Sequence, residues 1–140
     1  MAESEGLAEV PQEVLKRLAA LYYRHKKAEP PPANDIPPWV RNINSMSRVD
    51  VEHETRDAIH TCRELKKRVV LLETEGERII PTVSKRERMR SDLLDQWTYM
   101  SYYLYTLFRR SGVEVSEEEF DEFIRERTDS RTFFTNLSRR

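Results

Sequence analysis

Val51, Thr55, Ala58, Cys62, Leu65, Val69, Leu72, Gly76 and Ile79 recur at alternating steps of four and three. Steps of this kind keep one stripe on one face of an α-helix, whereas a strand, whose side chains alternate every second residue, would scatter them. Sustained over roughly four heptads, the pattern is the seam of a long helix that must be covered by a second long helix. The covering helix can belong to the same chain, as a hairpin, or to a partner, as a coiled coil. Thr55 and Cys62 weaken the centre of the seam, and Gly76 marks a bend or an end. Ser47 and Asp50 ("SRVD") resemble a capping box at its start, with Asp in the usual Glu place. The run "VVLL" at Val69 to Leu72 is apolar around most of the circumference, so it is expected to touch more than one neighbour.

The chain supplies the second helix itself. Pro81 in "IIPTVSKRE" breaks the first one, and Ser84 with Glu87 reads as a capping box for a helix over about 85–110. Arg109 and Arg110 in its last turn and Gly112 beyond it are the expected stop. Its apolar stretch, "LLDQWTYMSYYLYTLF", is 16 residues long and contains Asp95 and Gln96. A membrane-spanning helix needs roughly 20 mostly apolar residues, so the stretch is read as soluble. At 100° per residue, Met89, Leu93, Leu94, Gln96, Trp97, Met100, Tyr103, Leu104, Leu107 and Phe108 fall on one broad arc, a core face for the heptad seam. Tyr102 and Tyr105 fall on the opposite side, with Tyr99 at the edge. Either the first helix, the Pro-rich segment or the tail covers them, or another protein does.

A first helix is expected over 11–27, with Val14, Leu15, Leu18, Leu21 and Tyr22 as its stripe and Pro30, Pro31 and Pro32 as its stop. Residues 28–46 then read as an extended Pro-rich strap carrying Ile36, Trp39, Val40 and Ile43. This strap either packs on its own domain or docks in the aromatic groove of a partner. Ser116 with Glu119 caps a last helix over about 117–128, with Val115 and Phe120 placed as a hydrophobic staple. Phe133, Phe134 and Leu137 mark one further helical turn. Three glycines in 140 residues and 35% charged residues favour helices over a turn-rich β fold. The expected fold is all-α, one domain over 1–140: a long antiparallel helical hairpin, coiled-coil-like, with flanking shorter helices and the strap.

Chemistry is sparse. His53 and His60 lie on the outermost heptad position, and a bundle metal site needs inward carboxylates with Glu-x-x-His on two helices. Cys62 sits on the seam and reads as a small buried hydrophobe. No Gly-rich phosphate loop, zinc spacing or nucleophile elbow occurs. The expectation is therefore no enzyme, cofactor, metal or small-molecule substrate. A formal net charge of −1 gives no bulk nucleic-acid signal. A single cysteine and an acidic, small-residue start point to an intracellular location, nuclear or cytoplasmic.

The stretch "ERMRSDLLDQWTYMSYYLYTLFRRSGV", with Glu87, Arg88, Arg90, Leu93, Leu94, Trp97, Tyr99, Gly112 and Val113, resembles the small helical domain of nuclear-exosome cofactors, neuroguidin and related ribosome-processing proteins. The resemblance covers about one fifth of the chain and implies an RNA-processing role. The acidic "SEEEFDEFIRER" after Gly112 departs from the more basic helix of that family, and the basic tail is missing apart from Arg139 and Arg140.

The leading expectation is a non-enzymatic interaction subunit of a larger complex, with other protein subunits or a second copy of the chain as partner. Trp97, Tyr99, Tyr102, Tyr103 and Tyr105 are its expected contact anchors, and Leu65, Val69 and Leu72 hold the hairpin or a partner helix. The competing expectation is a helical nucleic-acid or RNA-processing factor contacting phosphates through Lys66, Lys67, Arg68, Arg86 and Arg90.

Overall fold

Local capping chemistry starts and stops the long helices. In a computed structural model that describes residues 6–29, 36–126 and 130–139, α1 spans Gln12–Lys26, entered through Pro11. It ends on Lys27 in the left-handed conformation, where the Ala28 amide donates to the Tyr23 carbonyl at 3.0 Å. Pro30 to Pro32, expected to stop it, lie outside the described residues. α2 (Pro38–Arg41) and a 3-10 turn (Asn42–Ser45) follow. The extended strap expected over 28–46 is therefore wound into helical turns from residue 38. Pro38 at the first helical position is pre-set for a helix start, because its fixed φ is helical and its missing N–H would go unpaired there anyway.

α3 (Arg48–Ile79) is capped by Ser47, whose hydroxyl accepts from the Asp50 amide at 3.2 Å. Its buried residues are Val51, Ala58, Cys62, Leu65, Val69, Leu72 and Gly76, which is the predicted seam without Thr55 and Ile79. Thr55 turns its hydroxyl back onto the Val51 carbonyl at 2.6 Å, and Ile79 is 48% exposed. α3 continues through Gly76 without ending there. A Cβ at that position would meet Arg86 Cδ at 2.7 Å, so the missing side chain lets Arg86 cross the helix.

α4 (Val83–Arg110) packs against α3 as the hairpin partner. Glu73 to Arg90, Lys66 to Trp97, Cys62 to Ser101 and Glu54 to Tyr103 touch in that order, so α3 numbers fall as α4 numbers rise and the pair is antiparallel. The Ser84 box is not formed. The helix starts at Val83 with Thr82 at the N-cap and no side-chain cap, because Pro81 stops α3 early enough for α4 to begin before Ser84. At the other end Gly112 (φ +84) closes a Schellman motif: its amide reaches Arg109 O, and that of Val113 reaches Phe108 O, both at 3.1 Å. A Cβ on Gly112 would also meet Gly6 O at 2.6 Å, so glycine is required twice over.

α5 (Glu117–Glu126) begins with the predicted reciprocal box. Ser116 Oγ accepts from the Glu119 amide at 3.1 Å, and Glu119 accepts from the Ser116 amide at 3.2 Å. α6 (Ser130–Ser138) forms from the tail and packs on α3. Among the described residues there is no strand, as expected of an all-α chain.

α1 and α5 close around the C-terminal half of α4, and α6 packs against α5 and α3. α1 runs antiparallel along it, with Arg17 at Tyr102, Tyr22 at Tyr99, Arg24 at Asp95 and Lys27 at Asp92. α5 folds back so that Phe120 meets Tyr102 and Tyr105 at 5.1 and 5.2 Å between ring centroids, and Phe123 meets Trp97 at 5.5 Å. Phe133 of α6 stacks on Phe123 at 4.4 Å. From Ser101 to Phe108 every residue except Tyr103 is buried. Burying each large apolar side chain contributes about 1.5–3 kcal/mol, so this half of α4 is the centre of the core. Met89, which helical projection places on the core arc, is 46% exposed, because it lies beyond the reach of these covering elements.

Candidate interaction surfaces

Leu65, Val69 and Leu72 are 3%, 2% and 6% exposed on the α4-facing side of α3. They hold the hairpin, and in this conformation no second helix can take them. The heptad signal is satisfied within the chain.

The expected aromatic anchors separate into two groups. Tyr102 and Tyr105 are both fully buried, so the chain itself covers them, and this corrects their assignment as partner-contact anchors. The Tyr102 hydroxyl donates to Glu117 at 3.2 Å, and the Arg17 guanidinium lies 4.9 Å from its ring centroid. Arg17 in turn pairs with Glu117 at 2.7 Å and with Asp121, clamping α1 to α5 across the tyrosine. Partial burial works against the charge of Arg17, but the bonds to Asp121 and Glu117 outweigh it and raise its pKa. The Tyr105 hydroxyl donates to Val115 O at 3.4 Å and accepts from Arg109 at 2.9 Å. Burial pushes both phenols above their ordinary value. Trp97 is also interior, under the Lys66 ammonium at 5.2 Å and against Phe123. Trp97 lies on the core arc that helical projection gives it, whereas Tyr102 and Tyr105 are core because α5 returns over the face that projection left open.

Tyr99 and Tyr103 are half-buried at the surface. Tyr99 meets Tyr22 at 5.4 Å and Trp39 at 6.4 Å, while Tyr22 packs on Trp39 at 4.9 Å. His25 stacks on Tyr99 at 5.8 Å and 11°. Tyr103 donates to Glu54 Oε2 at 2.8 Å. Burial, then Tyr22 and Glu54, hold the Tyr99 phenol up to about 12. Trp39, Glu54, Tyr99 and Tyr103, with Met46 and Met100, line a surface cup of about 310 Å³ between α2, α3 and α4. Trp39 was legible as a surface-active residue of the strap, but Glu54 was not, since nothing in its helical spacing distinguishes it from the other exposed acids of α3.

The five basic residues do not converge on one stripe. Lys66 covers Trp97, Lys67 pairs with Glu64 at 3.2 Å, and Arg90 pairs with Glu73 at 3.0 Å. Arg86 donates to Ile80 O at 3.0 Å across Gly76, and Arg68 is exposed one turn from Glu64. A phosphate-tracking surface gathers its cations on one side, whereas here most are drawn to acids, a carbonyl or a ring of the same hairpin.

The distal hairpin is a second surface. Between Glu73 and Arg90 the one buried residue is Gly76. Val70 and Leu71, half of the "VVLL" run, are 46% and 49% exposed on the outward side of α3, where more than one neighbour was expected. Ile79, Val83 and Met89 are 48%, 60% and 46% exposed further out. An arm of two helices buries only its own seam, so apolar residues off the seam stay in water.

His53 and His60 are exposed, and among the described residues no group of three or more metal-ligating side chains gathers. Cys62 is buried beside Ser101 Oγ at 3.8 Å, and burial pushes its thiol up to about 11. Among the described residues no helix is long and apolar enough to cross a membrane. Comparison with protein-family models, curated proteins and solved structures gives no match for this chain.

Proposed function

We propose that this chain is a non-enzymatic interaction subunit or adaptor of a larger intracellular complex, and that its two-helix arm is what the partner protein holds. The observation that carries this reading is the pair Val70 and Leu71, 46% and 49% exposed side by side on the outward side of α3. Apolar side chains rimmed by charge are the usual composition of a recognition patch. Here Lys67 and Arg78 sit on the same side, each already paired with an acid of its own helix, Glu64 and Glu75. The binding surface is thereby moved from Tyr102 and Tyr105, which are core, to the arm. The body, built around the C-terminal half of α4, acts as the rigid base that presents it.

A photo-reactive phenylalanine placed at position 71, in cells or extract of the source organism, tests the proposal. The same residue at position 53, exposed on α3 but beside no apolar patch, is the control. A discrete covalent adduct from position 71 and none from 53 is expected. Equal labelling from both sites, or none from 71, removes the arm as the interface. An adduct of twice the chain's own mass identifies a second copy as the partner.

A further inference from the structure

The cup between the strap and the hairpin has a composition that the arm reading does not use. Two aromatic walls, Trp39 and Tyr99, stand at 81° to each other, and Tyr22 packs behind both of them. Tyr103 forms a third wall, with its hydroxyl fixed on the Glu54 carboxylate. Met46 and Met100 complete an apolar lining of thioethers. Trp39 is 36% exposed, so the cup is open at the strap side and needs no rearrangement of the core to admit a ligand.

The charge in this lining selects among occupants. Glu54 disfavours an anion, and an aliphatic group would cover the carboxylate without compensating it. A cation is attracted both by the carboxylate and by the negative faces of the rings. Guanidinium brings five N–H donors and a primary ammonium three. The side-chain acceptors in the lining are Glu54, one of whose oxygens already receives the Tyr103 proton, the Tyr99 and Tyr103 hydroxyls, and the Asn42 amide at the edge. The rest of the wall is ring, methyl and thioether surface, so any donor directed there goes unpaired, whereas methyl groups fit it. A quaternary ammonium has no donors to satisfy, is cheap to desolvate, and presents methyl groups to aromatic and thioether surface. Of the nearby cations of α1 and its C-cap, Arg24 and Lys27 are paired with Asp95 and Asp92, Lys26 lies over the Tyr22 ring at 5.8 Å, and none of the three lines the cup.

We propose that this cup binds a trimethylated lysine side chain of a partner protein, with Trp39, Tyr99 and Tyr103 as the walls around the ammonium and Glu54 as its counter-charge. A peptide is favoured as the carrier because Asp50 and Asp57, exposed one turn either side of Glu54 on α3, extend the negative surface in both directions from the cup. They match basic residues flanking the modified lysine. This site is separate from the arm, so the proposal stands or falls independently of the function proposed above.

The full chain, isotopically labelled, is titrated by NMR with a short basic peptide carrying trimethyl-lysine and with the same peptide unmodified. Shifts of the Trp39 indole and of the Tyr99 and Tyr103 amides are expected, with the unmodified peptide binding about tenfold more weakly. Trp39→Ala is expected to weaken binding of the modified peptide about tenfold and Trp39→Phe to restore part of it, each with unchanged helical circular dichroism. Glu54→Gln is expected to weaken it several-fold. Equal binding of the two peptides overturns the proposal, since it means the acidic rim alone is recognised. Binding of choline or phosphatidylcholine vesicles without the peptide overturns the assignment to a protein partner. No shift with any of them, tetramethylammonium at millimolar concentration included, overturns the site altogether.

Discussion

The two ends of the same hairpin treat similar residues in opposite ways. Near Ser101 to Phe108, tyrosines that lie off the main seam are fully buried. Near Glu73 to Arg90, Val83 and even Ile79 and Met89, which the sequence pattern places on the facing sides, are about half exposed or more. Side-chain chemistry does not explain the difference, because the exposed residues are the more apolar. What differs is the supply of neighbours. α1 and α5 both reach the C-terminal half of α4, brought together by Arg17 bridging to Glu117 and Asp121. Among the described residues the outermost ion pair from this side is Lys27, just past α1, with Asp92, and the hairpin continues outward from there. Burial in this fold is decided by which elements arrive, and an arm left with one partner helix keeps an outer surface for something else.

Truncating the body tests the contrast most strongly. Phe120→Ala removes a fully buried ring that touches Tyr102, Tyr105 and Phe123. It is expected to destabilise the fold by about 3–5 kcal/mol, the usual range for a core Phe→Ala cavity. Leu71→Ala on the arm is expected to change stability by no more than about 0.5 kcal/mol. Thermal or urea denaturation of the two variants gives the comparison, and similar losses would contradict the division into core and arm.

An alkaline titration reads the same division through protonation. Four of the six tyrosines, Tyr99, Tyr102, Tyr103 and Tyr105, have phenols raised above 10 chiefly by burial. A raised phenol pKa means the folded state holds the proton that the unfolded chain releases near pH 10. These groups therefore oppose unfolding less and less as pH climbs above 10 through their folded values, and they impose no pH dependence below it. Tyrosinate absorbance should rise late and together with loss of helical circular dichroism. A smooth titration of all six tyrosines centred near pH 10, with the fold intact, would show the body to be open.

The smallest expected effect lies on the arm. Gly76→Ala gains helix propensity of roughly 0.5–1 kcal/mol. Its Cβ must however displace Arg86, which lies within 2.7 Å and holds Ile80 O. In an Arg86→Ala background the full gain is expected, and in the native background little or none. Melting curves of the two single variants and the double variant measure the coupling, and full additivity would remove Arg86 as the reason for the glycine.

Much of the architecture was readable because it is local. Ser47, Ser116 with Glu119, and Gly112 set helix ends through bonds within a few residues, and the spacing from Val51 to Leu72 set the face that α3 turns to α4. Where local signals compete, spacing alone does not decide between them. Ser84 with Glu87 made a plausible box, yet Pro81 ended α3 early enough for α4 to start at Val83. The candidate surface was less legible. The aromatic content of α4 was plain, but its assignment to partner contact reversed when α5 came back across Tyr102 and Tyr105. Glu54 gained its place only by standing opposite Tyr103, 49 positions away.

The sequence by itself determined that this chain makes capped helices, that two of them form an antiparallel pair along a heptad seam, and that α4 carries more aromatic surface than the pair consumes. Periodicity specifies the direction in which a side chain points from its own axis. Only the tertiary structure decided what stands in that direction: Phe120 and Arg17 over the inner tyrosines, Trp39 and Glu54 beside the outer ones, and solvent over Val70 and Leu71. The physical reason is that coverage depends on contacts between residues up to about a hundred positions apart, such as Arg17 with Glu117, which no local pattern encodes.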